Sequence, residues 1–277
     1  MGIFDKLLKK KKAEELFEAE DTNVDVDSDD DIDEDTEQEV SPGGSTIYKH
    51  DEVKDEGWRA PQAYGVFAEE INEYFSKVFP DREEFVFHEI ISDLVHIDVN
   101  IMRPNETAPY YFVYTTGMSD LPMHVPTEIE DRDKYLYGEL FMMMPDTWNP
   151  GSTGELSEDI PDSEYWPIDL IKYFARFPHE YHTWLGWGHT IPNGPEYSPL
   201  CEGSDMGGII LTQLGGDLEA LTASSGERIN FYMIVPAYKE EIEFKLEHGM
   251  DALDDIFAEK NLPMIIDINR GNYCIDK

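Results

Sequence analysis

Two stretches of this chain, Gly207 to Leu214 and Ile229 to Val235, are almost continuously apolar. A strand with one wet face alternates apolar and polar side chains, so runs of this kind belong to a sheet covered on both faces. Helices on the sheet supply such a cover in α+β architectures. The rest of the sequence supplies both parts. Val95, Ile97, Val99 and Ile101 alternate with His96, Asp98 and Asn100, and Phe85 and Phe87 alternate with their neighbours, the period of two expected of strands. Tyr110 to Thr116 and Tyr135 to Met144 add two more β-rich runs, ended by Gly117 and Pro145.

Helical periodicity is equally plain. Tyr64, Phe67, Ala68, Ile71, Phe75 and Val78 recur at spacings of three and four between Pro61 and Phe79, which predicts an amphipathic helix opened by Pro61 and closed by Pro80. Pro167 is expected to open a second helix through Ile168, Leu170, Ile171, Phe174 and Ala175, stopped or bent at Pro178. A third runs from Tyr238 to about Lys260, and Met264 to Ile268 closes the chain as a strand. The expected fold class is α+β: an α/β sandwich with a mixed, largely antiparallel sheet packed against about three helices.

Charge separates this body from what precedes it. Of the first 39 residues, five are lysines within the first twelve, and fifteen acids then run from Glu14 to Glu39 without a base. Like charges repel and offer little apolar surface to offset ordering entropy, so residues 1–44 are expected to be a charged tail and residues 45–277 the folded domain. The formal charge of the 277 residues is −39, from 21 Lys plus Arg against 60 Asp plus Glu. Residues 1–39 carry 5 − 16 = −11 of it, which leaves −28 on the body. Such a surface argues against an electrostatic grip on nucleic acid or anionic membranes, and favours a basic protein partner. Ile3, Phe4, Leu7 and Leu8 beside the lysines suggest membrane contact through residues 1–12 as a minor alternative. With two distant cysteines, Cys201 and Cys274, and no secretory signal, a cytoplasmic protein is expected.

Candidate chemistry is sparse. His179 and His182 stand three apart beside Pro178, not four apart as in the zinc-binding helix pattern, so no metal and no cofactor are expected. His96 and Asp98 share one face of a predicted strand, as an acid–base pair or as the polar side of a sheet. Ser119 lacks the nucleophile elbow, and Ser119 or Asp120 capping a turn explains the pattern. The stretch from Trp184 to Gly194 joins Trp184, Trp187 and His189 to three glycines, a loop suited to a partner contact. Asp98, Ser119, Asp120, Trp184, Trp187, His189 and Asn193 are therefore the candidate partner-binding residues, with no catalytic residue expected. The competing class is a metal-dependent hydrolase using His96, Asp98, His179 and His189.

Phe87-His88-Glu89-Ile90-Ile91-Ser92-Asp93-Leu94-Val95-His96-Ile97-Asp98-Val99 and Thr115-Thr116-Gly117-Met118-Ser119-Asp120-Leu121-Pro122-Met123 begin a series of longer motifs. Trp166-Pro167, Ala175-Arg176-Phe177-Pro178-His179-Glu180, Thr183 to Gly194, Val235-Pro236 with Glu240-Glu241, and Asp267-Ile268-Asn269-Arg270 follow in order. Together they resemble the suppressor of fused family in its bacterial single-domain form. That resemblance implies protein binding and no enzyme activity. Animal members sequester a transcription factor between two lobes, of which this chain resembles the amino-terminal one. Bacterial relatives are interpreted as immunity proteins, which makes a basic toxin domain the expected partner here; a general intracellular adaptor or regulator is the alternative.

Overall fold

The computed structural model describes residues 39–50, 57–90, 92–151 and 160–275. A two-stranded hairpin of β1 (Glu39–Val40) and β2 (Thr46–Ile47) precedes the body. Its turn is the Ser41-Pro42-Gly43-Gly44 stretch, and the Gly43 N–H donates to the Leu246 carbonyl at 2.8 Å, which fastens the hairpin to the body.

The body is one eight-stranded sheet. Its strands are β3 (Glu84–Phe87), β4 (Asp98–Met102), β5 (Tyr110–Thr116), β6 (Tyr137–Pro145), β7 (Thr190–Pro192), β8 (Gly208–Thr212), β9 (Ala220–Thr222) and β10 (Arg228–Ala237). The spatial order is β3-β4-β5-β6-β10-β8-β7, with β9 pairing the start of β10. Only β6 and β10 run parallel, with Tyr137 opposite Ile229 and Phe141 opposite Met233. The sheet is therefore mixed and largely antiparallel, as expected.

Both faces are covered. α1 (Ala68–Val78) lays Ile71 and Phe75 on one face, against Phe112, Tyr114, Phe141 and Phe231. Removing each such ring from water contributes about 2–3 kcal/mol. α2 (Asp162–Glu180) covers the opposite face, where Val99, Ile101, Val113, Leu140 and Met142 meet Ile168, Ile171 and Phe174. α3 (Lys239–His248) and α4 (Met250–Lys260) extend the first cover over Ile210 and Ala237.

Four helices, not three, lie among the described residues, because Gly249 at φ +91° separates α3 from α4 where one long helix was expected. Other boundaries also differ. α1 begins at Ala68 and not at Pro61, since the segment before it bonds to Asp120 instead of to itself. α2 begins at Asp162 and passes through Pro167 and Pro178 to Glu180; at its end Thr183 N–H reaches the Pro178 carbonyl at 2.8 Å. Residues Met264 to Ile268 form no strand, only a bridge between Ile265 and Met143. No described helix is long and apolar enough to cross a membrane. The proposed membrane contact of residues 1–12 lies outside the described residues.

Candidate partner-binding face

At one end of the sheet β5 runs into a tight turn built around Gly117, at φ +108°. A single 3-10 turn, Met118–Asp120, follows, and all three of its residues are buried. Beneath it sits Glu139 of β6, wholly buried. Its Oε1 accepts the Gly117 N–H at 3.0 Å, the Ser119 N–H at 2.9 Å and the Ser119 hydroxyl at 2.6 Å, while Oε2 accepts the Thr115 hydroxyl at 2.6 Å. From α2, His179 Nε2 donates to the Met118 carbonyl at 2.8 Å. Asp120 accepts the backbone N–H groups of Gly65 at 2.6 Å and Val66 at 2.8 Å, which fixes the approach to α1. Ser119 and Asp120 thus tie three elements together.

Burial raises Glu139 to about 7 despite the hydrogen bonds from Ser119 and Thr115, and lowers His179 to about 4. A carboxyl group raised on folding contributes stability below its unfolded value near 4.5, and that contribution is lost as pH rises through about 7. The gap corresponds to about 3 kcal/mol, at about 1.4 kcal/mol per pH unit. Urea unfolding of the wild type and Glu139→Gln should therefore diverge, with the variant gaining on the wild type between pH 4.5 and about 7. A difference constant across that range would assign Glu139 an unperturbed titration.

Asp98, at the start of β4, lies beside this turn in a polar cluster. Its Oδ1 is 3.0 Å from His96 Nε2, its Oδ2 is 3.1 Å from His88 Nδ1, and it accepts the Glu89 N–H at 3.1 Å. His96 Nδ1 lies 2.5 Å from the Ser92 hydroxyl. Glu89 pairs with Arg176 of α2.

The remaining sequence candidates form a second group. Trp184 N–H donates to the Tyr48 hydroxyl at 3.2 Å, and its ring meets His189 edge-on at 4.4 Å. Burial, and secondly the charge of Lys245, lowers His189 to about 4, so its ring is neutral at pH 7. Asn193 donates to the carbonyls of Ser198 at 2.8 Å and Pro199 at 3.1 Å. Trp187 is exposed. The two groups are linked, since His124 N–H bonds to the Thr183 carbonyl and Leu185 N–H to the Met123 sulfur. Of the hydrolase candidates only His96 and Asp98 meet, while His179 bonds the Met118 carbonyl and His189 lies against Trp184, and no metal-holding group of three or more His, Cys, Asp or Glu occurs among the described residues.

Sequence reasoning missed four exposed apolar residues: Trp58, Tyr64, Val66 and Ile90. Trp58, Val66 and Ile90 fall outside the helix and strand patterns, whereas Tyr64 fits the helical stripe and is thereby assigned to a buried face that it does not occupy. A tryptophan in a polar, non-periodic stretch was the one available signal.

The model of the suppressor of fused protein family matches residues 93–271, more than half of the chain. The chain belongs to the suppressor of fused family. Among solved structures, a suppressor of fused homologue from Neisseria gonorrhoeae FA 1090 is similar, with a TM-score of 0.55 at 16% identity, over 76% of this chain and 98% of that one. The Sufu–Fu complex structure matches with a TM-score of 0.51 at 15% identity, over 77% of this chain and 93% of that one. Drosophila Suppressor of Fused matches at 0.50 and 14% identity, over 77% of this chain and 52% of that one. A search of curated proteins finds no match. Suppressor of fused domains are protein-interaction modules, and the Asp267-Ile268-Asn269-Arg270 and Thr116-to-Met123 motifs of this one both lie at junctions between elements.

Proposed function

We infer that this suppressor of fused domain is a non-catalytic inhibitor of the immunity type, which binds a basic bacterial toxin domain and blocks it by occlusion. The observation that carries this reading is the charge of −28 on residues 40–277, the span that holds the suppressor of fused match, as distinct from the acidic run before it. Self-repulsion of that size opposes compaction, and a cationic partner relieves it. The Sufu–Fu complex supports the reading at the level of the fold, since a related domain there is assembled with another protein. Occlusion asks nothing of side-chain chemistry: the candidate Asp98, Ser119, Asp120, His189 and Asn193 would act by holding the loops in shape, and Trp187 by facing the partner.

The test is binding to the polypeptide encoded beside this chain, measured by stopped flow over a range of salt. A tight complex is expected, with an association rate constant that falls about tenfold between about 0.05 and about 0.5 M NaCl. Failure to form any complex would overturn the immunity reading, and a rate indifferent to salt would remove the role assigned to the acidity.

A further inference from the structure

Trp58, Tyr64, Val66 and Ile90 expose 67%, 69%, 53% and 82% of their surface, which is unusual for side chains of this size in a chain with a covered core. They are not loose. Trp58 N–H donates to the Ser92 carbonyl at 2.7 Å, and the neighbouring Arg59 N–H donates to Asp93 Oδ1 at 2.9 Å. In return Leu94 N–H donates to the Arg59 carbonyl at 3.0 Å, so the two segments are laced together. Tyr64 lies against His96, with ring centroids 4.3 Å apart, and His96 is itself tied to Ser92. Val66 is held through its N–H on Asp120. A continuous chain of contacts, Trp58–Ser92–His96–Tyr64, therefore presents two exposed aromatic rings in fixed orientations.

The backbone beneath them is strained. Leu94 has φ +65°, a region that L side chains rarely occupy, and it is held there by the bond to Arg59. Such strain is maintained only where the surroundings over-determine it, and it concentrates at functional surfaces.

We propose that this patch is the docking face of the domain, and that its occupant is a basic protein surface carrying an apolar anchor residue. The proposal rests on the binding function above and deepens it by naming the surface. Rigid aromatic rings lose little conformational freedom on contact, and tryptophan and tyrosine dominate the centres of protein interfaces. The sign of the partner follows from charge. Asp93 and Glu89 beside the patch are matched by Arg59 and Arg176, and Asp98 lies between His88 and His96, so the sign is set by the net charge of −28 that residues 40–277 carry as a whole. A second copy of the chain would bring the same negative charge to the face, so a cationic partner is favoured over self-association.

The experiment uses the full chain and the polypeptide encoded beside it, with affinity read by titration calorimetry. Trp58→Ala/Tyr64→Ala should weaken the complex about 100-fold, the loss typical of removing two central aromatic anchors. Ile90→Asp should weaken it about tenfold even though it adds a negative charge, which separates apolar contact from general attraction. Met264→Ala, an exposed apolar residue elsewhere, should leave affinity unchanged. Near-UV circular dichroism verifies folding, and Ile90→Asp decides the matter if the double variant loses structure. Wild-type binding with undiminished affinity in these variants would reject the face while leaving the immunity reading intact. No binding by the wild type would reject both. A wild-type dimer that the double variant converts to monomer would reassign the face to self-association and overturn the proposed partner.

Discussion

Gly117→Ala is expected to destabilise the protein by about 4 kcal/mol or more, combining backbone strain with overpacking. A Cβ at this position would lie 1.8 Å from the His96 carbonyl oxygen and 3.0 Å from its carbon, both backbone atoms that no rotamer change can move aside. The residue also stands at φ +108°, where an alanine is strained whatever the space. Relief by shifting the turn would pull the Gly117 and Ser119 N–H groups from Glu139 and leave a buried carboxyl group short of donors. Denaturant unfolding should show a lower midpoint, with loss of near-UV signal at 37 °C. A change below about 1 kcal/mol would mean that the turn relaxes freely and that its contact with His96 carries no weight.

Arg270→Ala should cost about 3–5 kcal/mol, by leaving the Glu241 carboxylate buried without its cation. The Arg270 guanidinium meets Glu241 in a two-pronged pair, Nη1 to Oε1 at 2.6 Å and Nη2 to Oε2 at 2.7 Å, with Glu241 fully buried. Nη2 also donates to the Pro236 carbonyl at 2.8 Å, and the group is flanked by the Tyr238 and Tyr273 rings at 5.3 and 5.1 Å. Glu241 in turn accepts the Tyr238 N–H at 3.0 Å and the Tyr273 N–H at 3.2 Å. One pair therefore joins the end of β10, the start of α3 and the final segment of the chain. Lysine at 270 would not rescue it, since a single ammonium cannot replace the planar fork. Replacing both partners together, as Arg270→Met with Glu241→Leu, should recover much of the loss, because two matched apolar groups leave no orphaned charge. If the double variant is as unstable as the single one, the packing of the guanidinium between the rings, and not the pairing, supplies the stability.

The strands were legible wherever local pattern and tertiary burial agree. Tyr110–Thr116 is bounded as its β-rich run and the Gly117 breaker imply, and the continuous runs at Gly208–Thr212 and Arg228–Ala237 are indeed covered on both faces. Boundaries failed where a distant partner competes with local hydrogen bonding. The helical spacing that begins at Tyr64 yields to Asp120, which takes the Gly65 and Val66 amides for itself. Gly249 lies inside a sustained apolar stripe that conceals the change of direction. In the site, Ser119 and Asp120 were visible as capping residues, but their acceptor and donor partners come from elements far away in sequence. Glu139 could have been found: a lone carboxylate within the run from Tyr137 to Met144 must be bonded if that run is buried. The docking patch could not be found by periodicity, because it is assembled from two loops.

The parallel pairing of β6 with β10 also dictates an order of assembly. β3 to β6 form a meander whose partners lie close in sequence and can join as they leave the ribosome, whereas Tyr137 must wait for Ile229. Until then β6 is an edge strand, and its Leu140-Phe141-Met142-Met143-Met144 run presents free backbone groups beside apolar side chains. The interval before β10 arrives is the period of greatest exposure to aggregation, and chaperone capture of nascent chains should peak there. A chain truncated ahead of Arg228 would keep that edge open for good.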